Sequence, residues 1–223
     1  MPRLARLAVV LLLAACRPAA PTTSPDRGGP TTAPVEREGE DATTPDTSAA
    51  PTPFDDAEGR WGYRAADGSV VITPRYLMAT EFVDQVAGVA DEEGWAFIDR
   101  SGQVLARAFV FDNFADEFVE GRARIVEGDR HGFISSSGEI VLPPTYAFVE
   151  AFSEGRAAVC EGCTREMMGE VYRMVGGKWG YVDLQGTLVI PTRYDQAGAF
   201  EGGVALVREG KRELEIGTDG AER

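Results

Sequence analysis

Apolar residues fall in short runs punctuated by glycine and proline, most legibly between residues 179 and 207. Trp179-Gly180-Tyr181-Val182-Asp183 is rich in aromatic and β-branched side chains and predicts a strand. Asp183-Leu184-Gln185-Gly186 follows as a turn, where glycine supplies the left-handed backbone of a hairpin loop. Thr187-Leu188-Val189-Ile190 predicts a second strand, halted by Pro191. A connector, residues 192–197, leads to Phe200, and Val204-Ala205-Leu206-Val207 predicts a third strand.

This three-strand pattern recurs. Copies align on Trp61-Gly62, Trp95-Ala96, His131-Gly132, Trp179-Gly180 and Glu213-Leu214, each followed by a glycine at Gly68, Gly102, Gly138, Gly186 and Gly220. The glycines are 34, 36, 48 and 34 residues apart, a spacing that signals a repeat architecture. Phe82, Phe118, Phe152 and Phe200 share one position. Ala87, Ala123, Ala157 and Ala205 share another, and Val89, Ile125, Val159 and Val207 a third. Small residues flanked by larger apolar ones imply close approach between neighbours, with the aromatics filling the gap. The second copy carries two extra residues around Phe109 to Phe114, read as a bulge or longer connector.

The fold expected over residues 53–223 is therefore all-β: four copies of about 34 residues and a partial fifth. No hairpin can bury its own face, so the copies must stack. A curved open array is expected, with a closed propeller-like ring as the alternative. Phe54-Asp55-Asp56-Ala57 echoes Tyr194-Asp195-Gln196-Ala197, which places connector material at the start of the domain, as circular closure or as a capping half-repeat.

The pattern resembles the bacterial WG-repeat family over residues 59–220. The resemblance rests on Trp61-Gly62-Tyr63, Lys178-Trp179-Gly180-Tyr181, Val71-Ile72-Thr73-Pro74, Val189-Ile190-Pro191 and the Phe-x-x-Gly-x-Ala spacing. Ala96 replaces the glycine, His131 the tryptophan, and Glu213-Leu214 both, so these copies are degenerate. The resemblance implies a repeated β architecture and no settled biochemical activity.

One insertion breaks the period. Val159 and Trp179 are 20 positions apart where the other copies have six, so about 14 residues are added near 160–176. They include Cys160-Glu161-Gly162-Cys163. Outside the cytoplasm such a pair is expected to be oxidised, fixing a tight turn. A metal half-site and a redox-active pair are the alternatives, although His131 is the only histidine available as a further ligand. Val171-Tyr172-Arg173-Met174-Val175 predicts a strand, making the insert an extended hairpin that projects from the array as a candidate for partner contact.

The N-terminus bears on location. Arg3 and Arg6 precede an apolar run, Leu7 to Leu13, too short to span a bilayer and composed like a secretory signal. Leu13-Ala14-Ala15-Cys16 looks like the lipobox of bacterial lipoproteins, a resemblance that implies a signal peptide over residues 1–15 and a diacylated Cys16. Residues 16–52 then form a tether. Seven prolines and eight threonines fall within residues 17–52, with Val35 the only large aliphatic, so the segment is expected to stay disordered. It would hold the domain about 30–35 Å from the lipid. Arg17, rather than aspartate, after the cysteine favours an outer-membrane or surface address.

Formal net charge is −14, so a basic nucleic-acid footprint is absent. No catalytic constellation emerges. With one histidine no Ser–His–Asp or Cys–His set can be assembled, and His131 reads as a packed structural residue. Asp55-Asp56, Asp91-Glu92-Glu93 and Asp116-Glu117 read as solvated surface charge in loops. No enzyme activity, cofactor or metal is expected. The sequence points to a membrane-anchored binding or scaffold module for an envelope protein or glycan. An acidic spacer and a redox accessory acting through the cysteine pair are the alternatives.

Overall fold

Hairpin turns between strands need a residue that tolerates positive φ. Gly68, Gly102, Gly138, Gly186 and Gly220 supply it, with φ of 83°, 84°, 90°, 75° and 78°. Each closes the turn between the first and second strands of its copy, or begins to do so in the truncated fifth. The computed structural model describes residues 49–169 and 171–223, within a unit running from Thr43 to Arg223. Cys16, the signal segment and most of the tether lie outside the described residues.

The first strands are Trp61–Arg64, Gly94–Asp99, Arg130–Ser135, Lys178–Asp183 and Arg212–Gly217. The second are Val70–Tyr76, Val104–Ala108, Ile140–Tyr146 and Leu188–Tyr194, and the third Val86–Asp91, Arg122–Glu127, Arg156–Glu161 and Val204–Glu209. No helix occurs among the described residues, and no sheet closes into a barrel. The chain is a tandem β repeat.

The sheets are out of phase with the sequence period. Each third strand pairs with the first strand of the next copy: Val89 opposes Ala96, Ile125 opposes Gly132, Val159 opposes Gly180 and Val207 opposes Leu214. The five residues between Val89 and Trp95 leave room only for a hairpin. Short strands Met78–Ala79, Phe148–Val149 and Gln196–Ala197 flank the third strands on their other side. Thr52–Asp55 pairs with Trp61–Arg64 and so occupies a third-strand place. The expectation that Phe54–Ala57 is connector material is thereby corrected: residues 52–55 are one arm of a hairpin.

Successive sheet units pack in chain order. Tyr63, Phe97, Phe133 and Tyr181 stack against Phe82, Phe118, Phe152 and Phe200 with ring centroids 4.9, 5.4, 4.7 and 4.9 Å apart. Ala87, Ala123, Ala157 and Ala205 are fully buried, as their small size at a close approach requires. The turn glycines reach the preceding copy: Gly102 lies on Ile72, Gly138 on Leu105, Gly186 on Val141 and Leu142, and Gly220 on Ile190.

The glycine of each Trp-Gly or His-Gly pair has a separate cause. Trp179 opposes Tyr194 and Tyr181 opposes Ile190, so two residues face four and the second strand bulges around Pro191. That bulge presses the Ile190 carbonyl oxygen onto Gly180, where a Cβ would lie 2.7 Å from the Thr192 nitrogen. Gly62 and Gly132 meet the same bulge at Pro74 and Pro143–Pro144. The second copy lacks both halves. Ala96 opposes Arg107 and Phe97 opposes Ala106 without a shift, and no proline stands in that strand.

Straightening has a downstream effect. Arg107 and Ala108 run on to pair with Val126 and Ile125, joining two repeat units into one seven-stranded sheet. The following residues are displaced as a small hairpin, Val110–Phe111 with Phe114–Ala115, turned by Asp112 and Asn113 at positive φ.

Candidate binding cleft

Both departures from the period lead to one place. The insertion forms a hairpin, Thr164–Met168 with Val171–Val175, as expected from the sequence. Its neck is narrow. Gly177 has φ 65° and lies against the Cys163 backbone nitrogen and the Glu161 carbonyl oxygen, closer than any Cβ could. Cys160 and Cys163 stand at disulfide distance, Cα atoms 6.0 Å apart, both buried in the core that contains Trp179 and Phe148. The hairpin leaves the array from that fixed point with Met167, Met168 and Val171 exposed.

Facing it is an ion pair that sequence reasoning missed. Arg124 sits in the third-strand position held elsewhere by Gly88, Ala158 and Leu206. Its Nη2 and Nε donate to the Asp116 carboxylate at 2.6 and 3.0 Å, and Asp116 also accepts from the Arg124 backbone N–H at 2.9 Å. Both residues are 8% exposed. The guanidinium lies 4.2 Å from the Phe109 ring centre and 5.8 Å from that of Phe111. Asp116 is therefore no solvated surface charge, which corrects that expectation: the displaced hairpin carries it inward. The available signal was an arginine in a slot otherwise small or aliphatic, eight residues after an aspartate.

The two hairpins border a cleft of about 1050 Å³. Phe109, Phe111, Tyr172, Met174 and Trp179 give it apolar walls, and Arg124, Arg173, Arg208, Asp112, Glu150 and Glu213 its charges. Surrounding protein desolvates the Glu150 carboxyl and raises its pKa, with Arg124 opposing the shift. Phe111 is 65% exposed at the rim, a large aromatic left to solvent. A second hollow beneath the inserted hairpin shares Phe109, Phe148, Tyr172 and Met174 with the first.

His131 occupies its tryptophan slot as a packed ring, 5.1 Å from Phe148 and 5.7 Å from Phe109. Burial depresses its pKa, and the charges of Arg165 and Arg124 add to this against the raising influence of the Ala147 backbone and Asp129. A base with a depressed folded pKa contributes stability above its unfolded value of 6.5 that is lost as pH falls. Chemical denaturation should show stability declining below about pH 6.5, and His131→Phe should flatten that limb.

The other acidic clusters serve the turns. Asp91 and Glu93 share Arg107, and Asp56 accepts backbone N–H groups from Glu58 and Arg60. Partial burial works against the Asp99 charge, but hydrogen bonds from Ser101 and Gln103 outweigh it and lower the pKa. Among the described residues no group of three or more His, Cys, Asp or Glu side chains is placed to hold a metal ion, and no helix is long and apolar enough to cross a membrane.

Comparison with known proteins agrees with this architecture. No curated protein matches the chain. A solved structure described as "Crystal structure of the eukaryotic initiation factor" is similar over 78% of this chain and 51% of that one, at 9% identity and a TM-score of 0.35, too weak a likeness to carry an argument. The chain spans about half the length of that protein. The family model described as "WG containing repeat" matches residues 95–130, 132–162 and 179–212. These segments start at or one residue past the aligned Trp95, His131 and Trp179, so WG repeats are found in three places in this chain.

Proposed function

We propose that the protein is a lipid-anchored extracytoplasmic repeat module that binds an envelope protein or glycan through the cleft between its two irregular hairpins. The observation that carries this reading is the convergence of the irregularities. The inserted hairpin and the displaced Phe109–Asp116 segment, both departures from the period, border the same apolar cleft. Loops raised from a rigid β scaffold are where binding residues concentrate. The burial of Cys160 and Cys163 supports a bridge that fixes the hairpin neck over one that exchanges thiols, since exchanging cysteines need access.

Capture from envelope extract tests the cleft. Full-length chain should recover a partner that a variant lacking residues 164–175, with both cysteines kept, recovers at least tenfold less. Equal recovery would move the site to the array itself. There Val70, Val104, Ile140 and Leu188 are exposed aliphatics at equivalent positions, one from each second strand. The anchor has its own test. Cys16→Ser should shift the chain from the membrane to the soluble fraction and abolish incorporation of labelled palmitate, whereas unchanged fractionation would remove the lipid from the account.

A further inference from the structure

We infer that the cleft takes an extended peptide strand carrying an acidic side chain, paired along the outer edge of the inserted hairpin and held by Arg124 and Arg208. This rests on the reading of the cleft as the binding surface and names the partner chemistry. Three observations carry it.

The first is a strand edge. Met168 pairs with Val171, only two residues lying between them in the chain, so the two exchange backbone hydrogen bonds, as do the alternate pairs Glu166–Arg173 and Thr164–Val175. Tyr172 and Met174 therefore turn their N–H and C=O groups to the hairpin's outer edge. The cleft is lined by Val171, Tyr172, Arg173 and Met174 and by no residue of Thr164–Met168, so that edge is the one facing it. An unpaired edge is a template for another strand.

The second is a surplus of donors. Arg208 forms no side-chain hydrogen bond or ion pair among the described residues, and its Nε is buried without a partner. Glu213 stands opposite it in the ladder without closing an ion pair. Arg124 commits Nε and Nη2 to Asp116, and its Nη1 makes no protein hydrogen bond on the wall of the cleft. A buried donor left unanswered, as Arg208 Nε is, costs stability, and a carboxylate entering the cleft would answer it while accepting from Arg124 Nη1.

The third is the apolar lining. Phe111 and Val171 border the cleft well exposed, and side chains alternating along a bound strand would cover them. The ligand carries a single acidic residue, not an acidic run: Glu150, Glu213 and Asp112 share the cleft, and the molecule is acidic as a whole. Repulsion from distant charge is screened over about 8 Å at physiological salt, whereas the arginine contacts act at hydrogen-bond range.

The test is selection of a random decapeptide library against the full-length chain, followed by titration of the enriched peptides into the chain and two variants. Peptides sharing one Asp or Glu between apolar residues are expected. Arg208→Gln should weaken them at least tenfold, as should Tyr172→Pro, which removes an edge donor. Changing the peptide's acid to its amide should match the arginine loss. Enriched peptides without an acid, still weakened by Tyr172→Pro, would overturn the acidic class while leaving the cleft as the site. Peptides indifferent to both variants, or no enrichment at all, would overturn the inference outright. Wild-type-like thermal unfolding of both variants shows that losses are local.

Discussion

Asp116→Ala should lower the unfolding free energy by about 3–5 kcal/mol, because it leaves the largely buried Arg124 guanidinium without its hydrogen-bonded partner. Asp116 answers two side-chain donors and one backbone N–H, so alanine leaves three donors without an acceptor. Stacking on Phe109 gives the cation an attractive face but no hydrogen bonds. Replacing the pair together should cost far less. Arg124→Ala with Asp116→Ala brings the slot to the state of Ala158 in the next unit, with no charge left to satisfy. Urea unfolding of the two single variants and the double variant measures the coupling. A double variant as unstable as Asp116→Ala alone would show that the loss does not come from the stranded Arg124 charge.

Gly180→Ala should destabilise by about 1–3 kcal/mol, the usual range for forcing atoms into a packed interior. The obstacle is backbone, Ile190 O and Thr192 N, and backbone cannot rotate aside as a side chain can. Ala96→Gly at the equivalent place should cost no more than about 1 kcal/mol, since the ladder runs without a bulge from Ala96 to Phe97 and glycine adds only chain entropy. Thermal unfolding of the two variants side by side checks the contrast. Similar losses would mean that the Trp-Gly glycine does not answer the bulge.

The period, the three main strands of each copy and the hairpin turns were legible in the sequence because each depends on local chemistry; the short strands such as Met78–Ala79 were not. Aromatic and β-branched runs make strands, and glycines at fixed offsets make turns. The aromatic and alanine slots were legible too, since every copy repeats them. Strand pairing was less so. Aligning copies on tryptophan sets a boundary between Val89 and Trp95 that the chain does not respect, since those residues lie on the two arms of one hairpin. The inserted hairpin could be foreseen from Cys160, Cys163 and the run from Val171 to Val175. The cleft could not. It depends on a missing proline near Arg107, which straightens one strand, extends a sheet across two units and turns Asp116 inward onto Arg124. Each step is long-range, and a reading copy by copy does not connect them.

The cleft as the working surface is most directly tested by hydrogen–deuterium exchange on the full-length chain, with and without the partner that it captures. Slowed exchange at Tyr172 and Met174, extending to residues 109–115, is the predicted result. Protection confined to the second strands around Val70, Val104, Ile140 and Leu188, with residues 171–175 unchanged, would contradict it and place binding on the repeat array.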